Sequence, residues 1–377
     1  MAVKDYSQDS LDLHRKYQGK ISVRPKMRVT TKDDLSTVYS PGVAAPCEAI
    51  AADPEEVYTY TIKGNTVAVV SDGSAVLGLG NIGAAAAIPV MEGKAMLFKN
   101  FAGIDAFPIC IASQDTQEII RTVRNIAPVF GGINLEDISA PHCFEVEAAL
   151  QDLGIPVFHD DQHGTAVVVL AGMINAAKVL GKNLNDMKIV INGAGAAGIA
   201  IAKLLTGFGL KRPRIKVRDV ILCDRTGVVH RDRPDLNSFK IDALQFTNLE
   251  GVHGSVFDAL RGADVFIGVS QANLLSAADI RTMARDAIVF ALANPTPEIM
   301  PEEETAFENG QDIIVQLASL GLTPDDIDTV ISTHYDIDHA GIQLDDRHVE
   351  GAAAQVVDQH AAVRIVVDAV AVSQRRG

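Results

Sequence analysis

Two short apolar runs between residues 130 and 165 each end in a pair of adjacent carboxylates. The run G-G-I-N-L precedes Glu136 and Asp137, and the run I-P-V-F-H precedes Asp160 and Asp161. Short apolar runs with polar boundaries predict buried strands. Like charges at the ends of buried strands are costly, and Mg²⁺ or Mn²⁺ with oxygen ligands would neutralise them. Helix capping by Asp160 and Asp161 is the alternative, and it explains one pair but not both.

Strand-like and helix-like segments alternate along most of the chain. This alternation predicts an α/β fold with parallel strand pairing, whose second half is a doubly wound Rossmann-type dinucleotide domain. The predicted strands are 66–71, 106–112, 129–133, 155–158, 188–192, 219–223, 265–268 and 288–291. A glycine-rich turn and an alanine-rich helix are predicted over 78–98, and the other main predicted helices are 115–126, 142–153, 164–180 and 196–205.

Composition restricts the partners of the chain. The formal net charge of −15 argues against nucleic acid and anionic membrane surfaces. The first residues are polar, and no apolar run reaches about 20 residues without a charge, which is the length that a membrane helix needs. The four cysteines are far apart and form no C-x-x-C pair, as in a reducing compartment. We therefore expect a cytoplasmic protein with no nucleic-acid or membrane partner.

Two stretches match the pattern G-x-G-x-x-G, one at 78–83 and one at 193–198. Both follow a predicted strand and open a predicted helix, so the pattern alone does not separate them. The second is favoured as the coenzyme loop, because Asp224 follows the next strand and is placed to accept hydrogen bonds from ribose hydroxyls. The first stretch is interpreted as a tight turn that permits close packing.

Two further polar residues each have a structural and a functional interpretation. Lys94 lies in an otherwise apolar helix, where a lysine either extends to the surface or acts as a base. Tyr39 lies in the turn signal Y-S-P-G-V, where a tyrosine is more often a half-buried packing residue than an acid. The residues alone leave both alternatives open.

Several ordered motifs together carry a resemblance to the bacterial short-form malic enzymes, which oxidatively decarboxylate malate. The similarity covers about residues 10–305. The matching segments are Y-S-P-G-V-A-A-P at 39–46, S-D-G-S-A-V-L-G-L-G-N-I-G at 71–83, P-V-M-E-G-K-A-M-L-F at 89–98, N-L-E-D-I-S-A-P at 134–141, H-D-D-Q-H-G-T-A at 159–166, N-G-A-G-A-A-G at 192–198 and A-L-A-N-P-T-P-E-I at 291–299.

The resemblance implies a substrate domain over residues 1–160, an NAD(P)-binding domain over 161–309 and an atypical segment over 310–377. It further implies L-malate as substrate, NAD or NADP as coenzyme, Mg²⁺ or Mn²⁺ as cation, and a homodimer or a dimer of dimers. The site residues that it implies are Tyr39 as general acid, Lys94 as general base, Glu136, Asp137 and Asp161 as metal ligands, and Gly193, Gly195, Ala196, Ala197, Gly198, Asp224 and Asn294 as coenzyme contacts.

Coenzyme preference and product stay open at this point. Asp224 favours NAD because a carboxylate repels a 2′-phosphate, whereas Arg225 and Arg231 would accommodate that phosphate. A malolactic-type enzyme, which releases lactate without net coenzyme reduction, is an alternative within the same family.

The C-terminal segment departs from the family pattern. The family continues after residue 299 with G-R-S-D-x-P-N-Q and F-P-G-I-F-R-G stretches that this chain lacks, which suggests a catalytically inactive dinucleotide-binding relative as a further alternative. Residues 319–341 instead resemble the metal loop T-H-x-H-x-D-H-x-G of metallo-β-lactamase-fold hydrolases. His334, Asp338 and His339 match this loop, and Asp336 replaces its second histidine. A short motif without its structural context is weak evidence for a hydrolase site.

Overall fold

The computed structural model describes residues 6–210, 215–293 and 296–299 of the 377-residue chain. The chain divides into two compact units. Among the described residues, the first unit comprises 6–76, Asn81–Ile138 and Glu145–Phe158, and the second comprises Leu77–Gly80, Ser139–Phe144 and the described residues from His159 to Ile299.

The first unit contains a parallel sheet in the order β2-β1-β3-β4 with helices around it. Strand β1 pairs in parallel with both β2 and β3. All or most of each of the following elements belongs to this unit: α1 (Ser7–Tyr17), α2 (Lys32–Val38), α3 (Ala44–Ala52), α4 (Val57–Tyr60), β1 (Thr66–Ser71), α5 (Ala84–Ala102), β2 (Asp105–Cys110), α6 (Thr116–Ile126), β3 (Gly132–Leu135), α7 (His142–Leu150) and β4 (Val157–His159).

The second unit is built on a five-stranded sheet in the order β7-β6-β5-β8-β9. Only the β6–β7 pair among the described strands of this sheet is antiparallel, and β5 lies between its parallel neighbours β6 and β8. Its elements are α8 (Asp160–Leu180), β5 (Lys188–Asn192), α9 (Ala196–Thr206), β6 (Asp219–Asp224), β7 (Gly227–Val228), α10 (Ser238–Ala243), α11 (Val256–Leu260), β8 (Val265–Gly268), α12 (Ala277–Ile280) and β9 (Ile288–Ala291).

Two hydrophobic clusters cover the two faces of this five-stranded sheet. Neighbouring β5 residues belong to different clusters, Ile189 and Ile191 to one and Val190 to the other, as the two-residue side-chain period of a strand requires. Both faces of a parallel sheet are covered in this way, which explains why the sequence of β5 is a continuous apolar run. The α/β class with a Rossmann-type second unit is thus confirmed.

Helix α8 has 21 residues and is apolar enough to pass a length-and-composition test for a membrane span, which is weak evidence by itself. One side of the helix lies in the core of the second unit, where Ala166, Val169 and Met173 are at most 4% exposed. These contacts account for its apolar composition.

Strand β3 begins three residues later than predicted from the sequence. Residues Ala127–Val129 form a single turn of 3₁₀ helix instead. The buried ammonium of Lys63 donates hydrogen bonds to the carbonyl oxygens of Ala127 and Phe130, at 3.2 and 2.6 Å, and so holds the turn closed. Burial lowers the pKa of Lys63. The apolar sequence of the predicted strand does not indicate this contact with Lys63, which lies more than 60 residues earlier in the chain.

Candidate active site and coenzyme loop

Lys94 lies beside the buried side of α5 rather than at the surface. Helix α5 packs against β1 and β2, and Met91 and Ala95 on its inner side are 0% and 1% exposed. Residue 94 is three positions from Met91 and therefore projects from nearly the same side of the helix. Only 11% of the Lys94 side chain is exposed. The interpretation that this lysine extends to the surface is wrong.

The Lys94 ammonium contacts the first of the predicted carboxylates. Its Nζ lies 3.1 Å from Oε1 of Glu136, whose side chain is 4% exposed. The other oxygen of Glu136 accepts a hydrogen bond from the Asn134 side chain at 2.7 Å. The Glu136 N–H continues the sheet by donating to Val70 at 2.8 Å, which places the carboxylate directly at the carboxyl end of β3.

Asp137 follows in a left-handed backbone conformation with φ of 55°. Aspartate tolerates this region better than most residues, and such backbone strain is concentrated at functional sites. The Asp137 carbonyl accepts a hydrogen bond from the Ala75 N–H at 3.0 Å, which fixes the turn within the first unit. The residue is 5% exposed, so two adjacent carboxylates are withdrawn from water at this strand end.

This donor set fits a hard divalent cation. Glu136 and Asp137 offer buried oxygen atoms, and one lysine partly balances their charge. Burial of like charges favours a bound cation, and oxygen ligands are those that Mg²⁺ and Mn²⁺ prefer. In the second unit, Asp161 lies in the first turn of α8 with its Oδ2 3.6 Å from His159 Nε2. Its assignment as a further ligand stays a prediction.

Tyr39 is exposed in the first unit. It follows the last residue of α2, and 68% of its surface is open to solvent. The packing alternative for this tyrosine finds no support in that exposure, and its role as an acid stays a prediction.

The loop after β5 has the geometry of a phosphate-binding turn. Gly193 adopts φ of +126°, and a Cβ atom there would lie 2.8 Å from the Val269 backbone oxygen. A Cβ at Gly198 would lie 1.8 Å from the Gly193 oxygen, so only glycine fits where α9 meets the loop. Gly195 precedes α9, and a Cβ there would meet nothing within 4 Å. Ala196 and Ala197 begin the helix, whose first N–H groups have no partner within the helix.

The first G-x-G-x-x-G stretch packs differently. Within the first unit, the Gly83 N–H donates to the Gly73 carbonyl at 3.1 Å. A Cβ at Gly73 would approach the Gly83 carbonyl carbon to 2.3 Å. This close backbone contact agrees with the interpretation of the stretch as a tight packing turn.

Asp224 ends β6, next to the candidate coenzyme loop, and its carboxylate accepts hydrogen bonds from two cationic side chains. Oδ1 accepts from Arg233 at 2.8 Å and from the Thr226 N–H at 2.9 Å, while Oδ2 accepts from Arg233 at 3.1 Å and from Lys240 at 2.5 Å. Burial raises the pKa of Asp224, but the hydrogen bonds from Arg233 and Lys240 outweigh it and the net shift is downward. These four bonds fill the lone pairs of a carboxylate.

Arg233 and Lys240 were therefore missed by the sequence analysis, which considered Arg225 and Arg231 instead. Arg233 is 7% exposed, and its pKa is raised by hydrogen bonds to Asp235 and Asp224. The run R-D-R-P-D carries the signal, because alternating charges next to a strand-end carboxylate indicate an ion-pair network.

Glu298 is a third residue that the sequence analysis missed. It is fully buried and accepts hydrogen bonds from the backbone N–H groups of Ser270 and Ala293, at 3.1 and 3.0 Å. Burial raises the pKa of Glu298 against the opposing effect of these donors. The carboxyl group ties the segment after β9 to the end of β8. Asn294, the predicted contact near the nicotinamide, lies outside the described residues, as do His334, Asp338 and His339.

The sheet order, the glycine loop that opens α9 and the acidic end of the adjacent strand together define a Rossmann-type dinucleotide-binding α/β protein. Comparisons with known families narrow this class. Residues 18–118 match the family described as malic enzyme, N-terminal domain, and residues 162–319 match malic enzyme, NAD binding domain. Residues 300–341 separately match the metallo-beta-lactamase superfamily.

Individual relatives support the same family assignment. The chain is 60% identical over 285 residues to an NAD-dependent malic enzyme of Geobacillus stearothermophilus, covering 75% of this chain and 58% of that relative. It is 52% identical over 309 residues to a bifunctional malic/malolactic enzyme of Bacillus subtilis, covering 81% and 73%. The structure of an NAD-dependent malic enzyme from Thermotoga maritima matches with a TM-score of 0.75 at 49% identity, covering 79% and 78%. The chain belongs to the malic enzyme family.

Proposed function

We propose that the chain oxidatively decarboxylates L-malate to pyruvate and CO₂, with NAD or NADP as hydride acceptor and Mg²⁺ or Mn²⁺ as the required cation. The observation that carries this proposal is the buried contact of 3.1 Å between Lys94 and Glu136 at the end of β3. It joins a candidate base to a candidate metal ligand in a chain whose second unit has a dinucleotide loop. The chain spans 58% of its relative from Geobacillus stearothermophilus, so the activity of the whole relative is inferred for it.

Lys94 and Tyr39 carry the two proton transfers in this proposal. Lys94 must first lose a proton from its ammonium group. Its neutral amine then accepts the proton of the malate C2 hydroxyl while the C2 hydride passes to the nicotinamide, which yields oxaloacetate. Loss of the C4 carboxylate as CO₂ leaves the enolate of pyruvate, and the Tyr39 hydroxyl protonates its C3. A divalent cation held by Glu136, Asp137 and Asp161 would polarise the C2 oxygen and stabilise the negative charge that develops there.

The coenzyme preference depends on the charge around Asp224. A free carboxylate at this strand end would repel a 2′-phosphate, but Arg233 and Lys240 neutralise the charge of Asp224, with Asp235 as the second partner of Arg233. Hydrogen bonds from ribose hydroxyls would require one present donor to leave the carboxylate. We therefore propose that the chain uses both NAD and NADP. A homodimer or a dimer of dimers and a cytoplasmic location are also part of the proposal, the latter because the four cysteines are far apart in the sequence and form no C-x-x-C pair.

Absorbance at 340 nm tests the proposed activity. Purified chain is mixed with L-malate and Mn²⁺, and NAD and NADP are supplied in separate reactions. A malate-dependent rise in absorbance that EDTA abolishes and excess Mn²⁺ restores would support the proposal. A protein that binds NADH but gives no rise, and consumes no malate, would be a folded and inactive relative.

A malolactic reaction is the second candidate, because one close relative is named a bifunctional malic/malolactic enzyme. It would retain the coenzyme hydride within the site and release lactate. Malate consumption with lactate formation and no net rise at 340 nm would support this candidate.

A further inference from the structure

Three side chains that take no part in the proposed reaction converge at one place in the second unit. His230, Asp232 and His253 each offer a ligand atom, and these atoms all lie within 4.8 Å of one another. Both imidazoles face the same oxygen, since His230 Nδ1 is 3.8 Å and His253 Nε2 is 3.7 Å from Asp232 Oδ2. The centroids of the two rings are 4.1 Å apart, and the ring planes are inclined at 37° to each other.

The nitrogen–oxygen distances are too long for hydrogen bonds, which require about 2.7–3.2 Å. The Nδ1 atom of His230 is buried, and the described structure gives it no hydrogen-bond partner. A buried polar atom without a partner destabilises the folded state, so its retention in a fold requires an explanation. A ligand between the three side chains would supply the missing partner.

The backbone holds the two histidines in place before any ligand arrives. The Asn248 side chain, in a residue that is 9% exposed, donates to the carbonyl oxygens of Val229 and Val252, which precede His230 and His253 in the chain. The Val252 N–H donates back to the Asn248 side chain at 2.7 Å. Asn248 therefore links the backbone segment that carries His230 to the one that carries His253.

We propose that His230, Asp232 and His253 form a binding site for a d-block divalent cation, of which Zn²⁺ is the best match. Zinc takes imidazole nitrogen and carboxylate oxygen ligands at about 2.0–2.2 Å, and water commonly fills a fourth tetrahedral position. Ligand atoms in that geometry lie about 3.4 Å apart. Small side-chain rotations would therefore bring the two histidine nitrogens and the Asp232 oxygen from their present separations to this distance. Two nitrogen ligands select against Mg²⁺, which prefers oxygen.

The surrounding charges permit this assignment. Arg233 is close in sequence, but its guanidinium is paired with both Asp224 and Asp235. The site lies in the second unit, whereas the buried carboxylates Glu136 and Asp137 lie in the first. None of its three ligands belongs to the oxygen-only set of the proposed reaction, which consists of Glu136, Asp137 and Asp161.

Zinc binding to the purified full chain tests the proposal. The chain is stripped with a chelator, dialysed into excess Mg²⁺ to fill oxygen-only sites, and titrated with Zn²⁺ by calorimetry. We expect the wild type to bind one more equivalent of Zn²⁺ than His253→Ala and Asp232→Asn, or to bind that equivalent at least about tenfold more tightly. Asp232→Asn keeps the shape of the side chain and covers the case in which an alanine variant folds poorly.

Two controls separate this site from other histidines. His14→Ala removes a histidine of α1 and should leave Zn²⁺ binding unchanged. The double variant His334→Ala/His339→Ala removes the metallo-β-lactamase-like residues and should also retain the equivalent. Equal stoichiometry and affinity in the wild type, His253→Ala and Asp232→Asn would overturn the proposal, as would loss of the equivalent only in the double variant.

Discussion

At the scale of single residues, the sequence identified the chemistry-bearing side chains but not their partners. The spacing of α5 could not distinguish a surface lysine from a buried one, because its apolar residues surround Lys94 on both sides in the sequence. The outcome depends on Glu136, which is 42 positions later in the chain numbering and is brought near only by the pairing of β1 with β3. The partners of Asp224 were likewise decided by the fold around it.

Replacement of Lys94 by alanine should abolish the malate-dependent rise at 340 nm. A positioned general base contributes about 10²–10⁴-fold to a rate, and the variant also leaves the buried Glu136 carboxylate without its cation. Initial rates with saturating Mn²⁺ measure the loss. Lys99→Ala is the matched control, because Lys99 lies on the same helix with a 58% exposed side chain and should retain near-normal rates. Equal rates for both variants would remove Lys94 from the mechanism.

The ion pairs of Asp224 should make the free energy of unfolding depend on pH in the acidic range. The folded pKa of Asp224 is below its unfolded value of 3.8, so the stabilisation is complete above about pH 4 and is lost as the pH falls through the lower folded value. Asp224→Asn should therefore cost about 2 kcal/mol near pH 7, and the difference from wild type should shrink toward pH 3. Denaturant unfolding at both pH values provides the measurement. A difference independent of pH would show that charge is not the cause.

At the scale of elements, hydrophobic periodicity predicted the strands of the second unit closely. The observed bounds of β5, β8 and β9 equal the predicted ones, because buried parallel strands are continuous apolar runs. Helix α8 instead begins four residues before the predicted start at residue 164. The segment H-D-D-Q-H resembles a loop in sequence, but Asp160 and Asp161 belong to the first turn, where carboxylates stabilise the helix dipole.

The glycine loop before α9 allows a prediction that separates folding from binding. In Gly198→Ala the new methyl group would lie 1.8 Å from the Gly193 oxygen, so the loop must shift at a cost of about 1–3 kcal/mol. Gly195→Ala has open space and a negative φ, so its thermal midpoint should stay near that of the wild type. Its methyl group nevertheless occupies the approach of the pyrophosphate and should weaken NADH binding about tenfold or more.

Thermal unfolding and NADH fluorescence titrations provide the two measurements for these glycine variants. If Gly195→Ala bound NADH as tightly as the wild type, the pyrophosphate would not rest on the start of α9.

At the scale of the whole molecule, the family motifs predicted far more than any single pattern did. Each G-x-G-x-x-G stretch alone was ambiguous, whereas seven ordered segments pointed to one family, which the comparisons confirmed. The position of residues beyond 299 and the predicted contact at Asn294 lie outside the described part of the chain. The family resemblance ends in the same region of the sequence.

The division of the chain into two units predicts that the two proposed binding functions can be separated by mutation. Glu136 belongs to the first unit and the glycine loop to the second. Glu136→Gln should reduce malate turnover by at least about 10²-fold, because it removes a charged metal ligand, and should leave the dissociation constant of NADH within about twofold. Rates at saturating Mn²⁺ and fluorescence titration test both parts. Loss of NADH binding in this variant would indicate a general folding defect and contradict the prediction.

The most direct test of the proposed reaction is to quantify its products from a single incubation with L-malate, Mn²⁺ and coenzyme. Reduced coenzyme is measured by absorbance, and pyruvate and lactate are separated by chromatography. Oxidative decarboxylation predicts pyruvate and reduced coenzyme in equal amounts, with no lactate. Lactate without reduced coenzyme, or unchanged malate in a protein that binds NADH, would contradict it.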